Sequence, residues 1–185
     1  MPTLRPIPIP TKGVNPFKRA WRWFTIIRKW EVVERYYYLH KGVQLVIPAG
    51  FVFDGASIPR VFWTILSPTG LLLIPGLFHD YGYRYNYLIS LECYLGVSCE
   101  DKRWHEGAGK AFWDKLFREM GEEVNGVHFA NWVAWAALGV GGWAAWFNKR
   151  KVPDPVPPLR DRGEELPEYR EFERQREEAL RELQR

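Results

Sequence analysis

Leu71-Leu72-Leu73-Ile74-Pro75-Gly76-Leu77-Phe78-His79-Asp80-Tyr81-Gly82-Tyr83-Arg84 is the stretch on which the reading of this chain turns. Strand patterns precede it and helix patterns follow it. The spacing predicts a helix from about Leu72 to Tyr87, and its run of apolar residues marks that helix as packed. A His and an Asp side by side in such a segment cost free energy unless they are paired or ligated. On a helix, His79 and Tyr83 lie four apart and share a face, while Asp80 points about 100° away. The two adjacent polar groups can therefore serve two different sub-sites, one facing a substrate and the other a metal.

Upstream, residues 21–53 read as antiparallel strands. Trp21 to Trp30, Val32-Val33 and Tyr36 to Leu39 are rich in aromatic and β-branched residues. Lys41-Gly42 is a turn signal, Val43 to Ile47 is a further strand, and Phe51 to Phe53 resumes it after Pro48-Ala49-Gly50. Asp54 to Arg60 forms a loop in which Ser57 can cap a short helix, Arg60 to Leu66, with Pro59 at an early position. Ser67-Pro68-Thr69-Gly70 would end that helix.

Downstream, residues 90–108 read as an irregular excursion. A second helix, roughly Gly109 to Met120, carries Asp114, and a third runs from Phe129 to Phe147. The fold class is therefore α+β: N-terminal antiparallel strands followed by a helical core of about three helices. This single domain is expected over 21–151. A proline-rich arm precedes it over 1–20, with prolines at 2, 6, 8, 10 and 16. A proline-rich linker over 152–163 and a charged, helical tail over 164–185 follow it.

The chain has 185 residues, 46% of them hydrophobic and 16% aromatic, and a net charge of +4. That length supports one core with extensions. The small positive excess has no concentrated basic patch of the kind that marks a dedicated nucleic-acid binder, so no specific nucleic-acid partner is expected. Met1 to Pro16 lacks the apolar segment of a secretory signal peptide. Cys93 and Cys99 are either ordinary thiols or a local disulfide across a loop. Without a C-x-x-C spacing they do not suggest structural zinc.

A coherent chemistry emerges if the second helix packs antiparallel to the first and sets Asp114 beside His79. Asp114 would then hold one ring nitrogen of His79 and fix its tautomer, leaving the other as a general base for water. The Tyr83 hydroxyl can support Asp114. The Asp80 carboxylate is a hard oxygen ligand suited to calcium, which would polarise an ester carbonyl. Asp54, in an Asp-Gly turn, is either a turn residue or a second metal ligand from the opposite wall. The competing reading of the cluster is a satisfied polar network that only fixes helix packing.

Two resemblances add to this. Val46-Ile47-Pro48-Ala49-Gly50-Phe51-Val52-Phe53-Asp54-Gly55-Ala56-Ser57-Ile58-Pro59-Arg60, followed by His79-Asp80-Tyr81-Gly82-Tyr83-Arg84 and Asp114, resembles a domain-of-unknown-function family of tailed bacteriophages and prophages. The likeness spans roughly residues 35–147. It implies a virion, or an infected or lysogenic bacterial host, as the setting, with other phage structural proteins or further copies of the chain as partners. Separately, H-D-x-x-Y at His79, Asp80 and Tyr83, with an Asp on a following helix, is similar to secreted and parvoviral phospholipase A(2) domains. That similarity implies His79 as general base, Asp80 as calcium ligand, Asp114 as the group orienting His79, and Tyr83 in support. The flanking disulfide cysteines of the secreted enzymes are replaced here by Phe78 and Tyr81-Gly82. Their calcium loop would be represented by Asp54-Gly55-Ala56 or by Ser67-Pro68-Thr69-Gly70.

Two functions follow as expectations: a calcium-assisted hydrolase of phospholipid esters in the host envelope, or a non-catalytic tail, connector or capsid-associated component. Residues 129–147 bear on both. They carry no charge, Trp132, Trp135, Trp143 and Trp146 share one narrow face, and Lys149-Arg150-Lys151 follows. This approaches a transmembrane pattern. A buried or oligomer-facing helix is the rival, favoured by three glycines, Asn131 and the modest length. Lipid contact through the Trp face is a third possibility.

Overall fold

The computed structural model describes residues 1–7, 29–54, 70–94, 98–151 and 174. The sequence expectations for 21–28, for the loop and short helix over 55–69, and for the linker and tail beyond 151 fall outside those residues, Arg174 aside. Among the described residues, the elements in chain order are β1 (Leu4–Pro6), β2 (Trp30–Val32), β3 (Tyr36–His40), β4 (Val43–Ile47), β5 (Val52–Phe53), α1 (Leu73–Tyr85), β6 (Leu88–Tyr94), β7 (Ser98–Trp104), α2 (Lys110–Asn125) and α3 (His128–Lys151). The α+β expectation holds: antiparallel sheets lie towards the N-terminus and three helices complete the core.

Among the described residues the strands form two antiparallel sheets, ordered β1-β2-β5 and β3-β4-β6-β7. The proline-rich N-terminus contributes β1, an edge strand on which Pro6 is tolerated. Arg5 on β1 reaches Glu31 at 2.8 Å across the pair. Phe51 to Phe53 does not resume β4. Gly50, at φ 83°, donates to the Val32 carbonyl at 2.7 Å and turns the chain into the other sheet, where Phe53 pairs with Trp30.

The expected irregular stretch over 90–108 is instead mostly the hairpin β6–β7, in register from Leu88↔Trp104 to Tyr94↔Ser98. Its charges concealed it, because most of them belong to β7, the last strand in the order of this sheet. Lys102 pairs with Glu92 across the hairpin, and Arg35 reaches Asp101 at 3.2 Å. Charged side chains of this kind protect a sheet edge from further pairing. The register sets the Cys93 and Cys99 backbones opposite each other.

Helix α1 is the centre of the molecule, and every residue from Ile74 to Tyr83 is buried. A helix apolar on all sides is one that is covered on all sides. Phe78 packs on Tyr36 and Tyr38 of the four-stranded sheet, with ring centroids 6.2 and 5.7 Å away, and Tyr81 packs on Phe51 at 5.0 Å. Full burial of side chains of this size stabilises by about 1.5–3 kcal/mol each. Pro75 lies in the first turn, where its missing N–H costs nothing.

Asn86 ends α1 two residues short of the predicted Tyr87, in the left-handed conformation at φ 60°. Its Oδ1 accepts from the Gly109 backbone N–H and from Trp113 Nε1, both at 3.0 Å. At the far end, Asn125 Nδ2 donates to the Leu71 carbonyl at 2.9 Å. The two helices therefore run antiparallel. Gly82 permits their close approach, since a Cβ there would lie 2.6 Å from the Trp113 ring. Helix α2 runs to Asn125, past the expected Met120, and is capped by Gly126 at φ 65°. Helix α3 folds back along it, with Asn131 against Gly121.

Candidate functional site

The antiparallel α1–α2 pair converts a sequence spacing into a contact. His79 Nε2 lies 3.0 Å from Asp114 Oδ1, and the Tyr83 hydroxyl donates to the same oxygen. His79 and Tyr83 share a face as their four-residue spacing requires, with ring centroids 3.9 Å apart. Phe117, one turn beyond Asp114 on α2, sets its edge against the imidazole at 5.5 Å.

The other carboxylate oxygen belongs to a residue the sequence reading did not single out. Lys110 Nζ donates to Asp114 Oδ2 at 2.5 Å and to the Leu138 carbonyl on α3 at 3.0 Å. Lys110 and Asp114 are four apart at the start of α2, so the spacing was visible in the sequence. What concealed it was the usual fate of such pairs, a solvated helix face. Here both partners are buried because α3 closes over them. Gly142 makes this possible: a Cβ on it would lie 2.6 Å from the Tyr83 hydroxyl and 3.0 Å from Lys110 Cε. Trp146 completes the wall, its ring edge-on to Tyr83 at 5.2 Å.

The five polar residues His79, Asp80, Tyr83, Lys110 and Asp114 are between 1% and 8% exposed. Burial alone would raise the Asp114 carboxyl. The hydrogen bonds from His79, Lys110 and Tyr83 outweigh it and hold the group below its ordinary value. Asp114 is therefore a carboxylate at neutral pH. As an acceptor it holds a proton of His79 on Nε2, which in the neutral ring leaves Nδ1 as the acceptor. Tyr83 is pushed far above the usual phenol value by burial, by its bond to Asp114 and by the charges of Asp114 and Asp80. It stays a neutral donor.

Asp80 is buried on α1, near enough to Tyr83 for its charge to bear on that hydroxyl. Asp54 lies at the end of β5, partly buried. Among the described residues, no group of three or more His, Cys, Asp or Glu side chains could hold a metal ion. A calcium ion takes six to eight oxygens. The described side chains supply Asp80 as a candidate ligand but no cage around it. The segments suggested as calcium loops lie largely within 55–69, outside the described residues.

A second polar cluster was not anticipated. On the sheet side of α2, His40 Nδ1 lies 2.8 Å from Glu123 Oε2, which also accepts from the Tyr38 hydroxyl at 3.2 Å. It adjoins a cavity of about 240 Å³ walled by Trp104, His105 and Phe112. No sequence spacing links these residues, because sheet and helix meet only in the folded chain.

The network extends to α3, but that helix is not a span: no helix among the described residues is long and apolar enough to cross a membrane. Its buried side carries Ala130, Asn131, Ala134, Leu138 and Gly142. Of the four tryptophans expected on one face, Trp132, Trp135 and Trp143 are exposed, whereas Trp146 turns inward onto Tyr83.

A family model described as a protein of unknown function (DUF1353) matches residues 30–138, more than half of the chain. The matched region contains Asp54, His79, Asp80, Tyr83, Lys110 and Asp114, and stops short of Gly142 and Trp146. No curated protein and no solved structure matches the chain.

Proposed function

The chain belongs to the DUF1353 family of unknown function, and on that premise we propose that it is a hydrolase of lipid esters, built on a His79–Asp114 pair and working in a phage setting on the host envelope. The observation that carries this reading is the 3.0 Å contact between His79 Nε2 and Asp114 Oδ1, buried between two helices. A carboxylate held ionised beside an imidazole is the arrangement a general base needs. His79 Nδ1 takes a proton from water as the water oxygen bonds to the ester carbonyl carbon. Asp114 stabilises the imidazolium so formed. The proton then passes to the departing alkoxide as its bond to that carbon breaks, which leaves a carboxylic acid and an alcohol. Tyr83 and Lys110 hold Asp114 still while the charge on His79 changes. The phage setting and the choice of a phospholipid ester are supported by the sequence resemblances over Val46–Arg60 and His79–Arg84. Calcium is a variable of the assay, with Asp80 as its candidate ligand, and no step above depends on it.

A second reading has its own observation. Phe129, Trp132, Trp143 and Phe147 are each more than half exposed on α3, as expected of a component that docks within a particle. The His79 network would then only lock three helices together.

The deciding experiment is release of fatty acid from phospholipid vesicles by the full chain, with calcium or with a chelator. His79→Ala and Asp114→Asn are compared after circular dichroism has shown them folded. Activity that falls at least about a hundredfold in His79→Ala supports the hydrolase, that being the usual scale for loss of a general base. Absence of any His79-dependent release from phospholipid, lysophospholipid or simple ester substrates overturns it.

A further inference from the structure

We propose that the exposed aromatic face of α3 is a membrane-contact surface that seats the protein on anionic phospholipid, with the helix lying in the plane of the headgroups. The inference deepens the lipid-ester reading by naming the physical form of its substrate, and it rests on that reading for its purpose. The surface itself lies on α3.

Phe129 is 72% exposed, Trp132 52%, Trp143 54% and Phe147 58%. With Val140 they fall within an arc of about 80° at 100° per residue, opposite the buried Ala134, Leu138 and Gly142. Exposed apolar residues gathered on one face in this way mark contact surfaces for protein or membrane.

Charge then selects the occupant. From Val127 to Lys151 there is no acidic residue, and the helix ends in Lys149-Arg150-Lys151. Beside the stripe, the Arg118 guanidinium lies over the Trp135 ring at 5.6 Å while also bonded to Glu122 at 3.0 Å, so the uncompensated charge of this face is the basic cluster at the end of the helix. Aromatic side chains flanked by cations fit a surface that is apolar below and negative above, because indoles favour the headgroup boundary and lysines favour anionic headgroups. A partner protein has no general reason to require the absence of acid along 25 residues.

Geometry sets the orientation. The helix cannot span a bilayer, and its stripe runs along its length rather than gathering at its ends, so it lies flat. Its opposite side touches the candidate site: the Leu138 carbonyl holds Lys110, and Gly142 abuts the Tyr83 hydroxyl. Trp143 belongs to both sides, exposed to solvent and yet 5.3 Å from Lys110 Nζ. One helix thus separates the lipid surface from the His79 network.

The test is partition of the full chain onto vesicles of phosphatidylglycerol and phosphatidylcholine, compared with phosphatidylcholine alone. Co-sedimentation and tryptophan emission report binding, and lipids brominated along the acyl chain report depth. We expect preferential binding to the anionic vesicles, weakened by salt, with blue-shifted emission and quenching by the brominated lipid. Phe129→Ser/Trp132→Ser, both far exposed, should weaken partition at least about tenfold without changing the circular dichroism spectrum. His79→Ala should bind as the unaltered chain does, so loss of the hydrolase reading appears as binding without fatty-acid release. Failure to bind anionic vesicles, or binding indifferent to the double substitution, overturns the proposal. Self-association that the double substitution abolishes, without vesicle binding, overturns it too and assigns the face to a second copy of the chain.

Discussion

Lys110 Nζ lies 2.5 Å from Asp114 Oδ2, one helical turn along α2, so the carboxylate that meets His79 is also half of a buried ion pair. Both side chains are 7% exposed. Removing one partner of such a pair strands a charge, whereas replacing both with apolar groups can be almost neutral. Lys110→Met is therefore expected to lower unfolding free energy by about 3 kcal/mol, read as a fall in the urea midpoint at unchanged slope. Lys110→Met/Asp114→Leu should recover part of that loss. A single variant within about 0.5 kcal/mol of the unaltered protein would show that the pair is not formed in solution.

The pH dependence of stability should carry the signature of Asp114. Its folded-state value is depressed below the ordinary 3.8. Its contribution is therefore complete above that value and is lost as pH falls through the lower folded one. Urea midpoints measured from about pH 5 down to about pH 2 should fall more steeply for the unaltered chain than for Asp114→Asn. Tyr83 has the opposite window. Its phenol is raised above 10.0 in the folded state, so its contribution is present below that value and declines as pH rises past it. Tyr83→Phe should flatten part of the alkaline loss.

Glycines on α3 should behave oppositely according to what faces them. Gly142→Ala puts a methyl 2.6 Å from the Tyr83 hydroxyl, and is expected to cost about 1–3 kcal/mol by overpacking. Gly139 has nothing within 4 Å of the same added atom, so Gly139→Ala should gain up to about 1 kcal/mol of helix propensity. Thermal denaturation of the two variants side by side checks this, and equal effects would refute the packing of α3 over the network.

Asn86 joins a backbone requirement to two side-chain bonds, and the two can be separated. Asn86→Gly keeps the left-handed conformation but loses the acceptor for Gly109 N–H and Trp113 Nε1. Asn86→Ala loses both. The glycine variant should be destabilised by about 1–3 kcal/mol for the stranded donors, and the alanine variant by roughly a further 1 kcal/mol of backbone strain. Chemical denaturation that ranks alanine above glycine would contradict this account of the junction.

Much of the site was legible because its logic is local. The four-residue spacing of His79 and Tyr83 puts them on one face of any helix, and Asp114 sits on a helix whose periodicity is plain. The hairpin β6–β7 was not legible, because its cross-strand charges mask the alternation that would mark it. Lys110 was passed over for a different reason. Its spacing to Asp114 describes a solvated pair as well as a buried one, and only the covering helix distinguishes them.

The sequence by itself determined the α+β class, the helical register of His79, Asp80 and Tyr83, and the presence of an Asp able to face them. These follow from periodicities of two and 3.6 residues that any short segment carries within itself. The tertiary structure alone decided that Asp114 is held by three donors, that Gly142 gives Tyr83 and Lys110 their room, and that Trp146 turns inward while Trp132 and Trp143 remain outside. Those outcomes depend on how closely helices distant in sequence approach one another, and that distance is set where Gly82, Gly121 and Gly142 leave room for a side chain of the facing element.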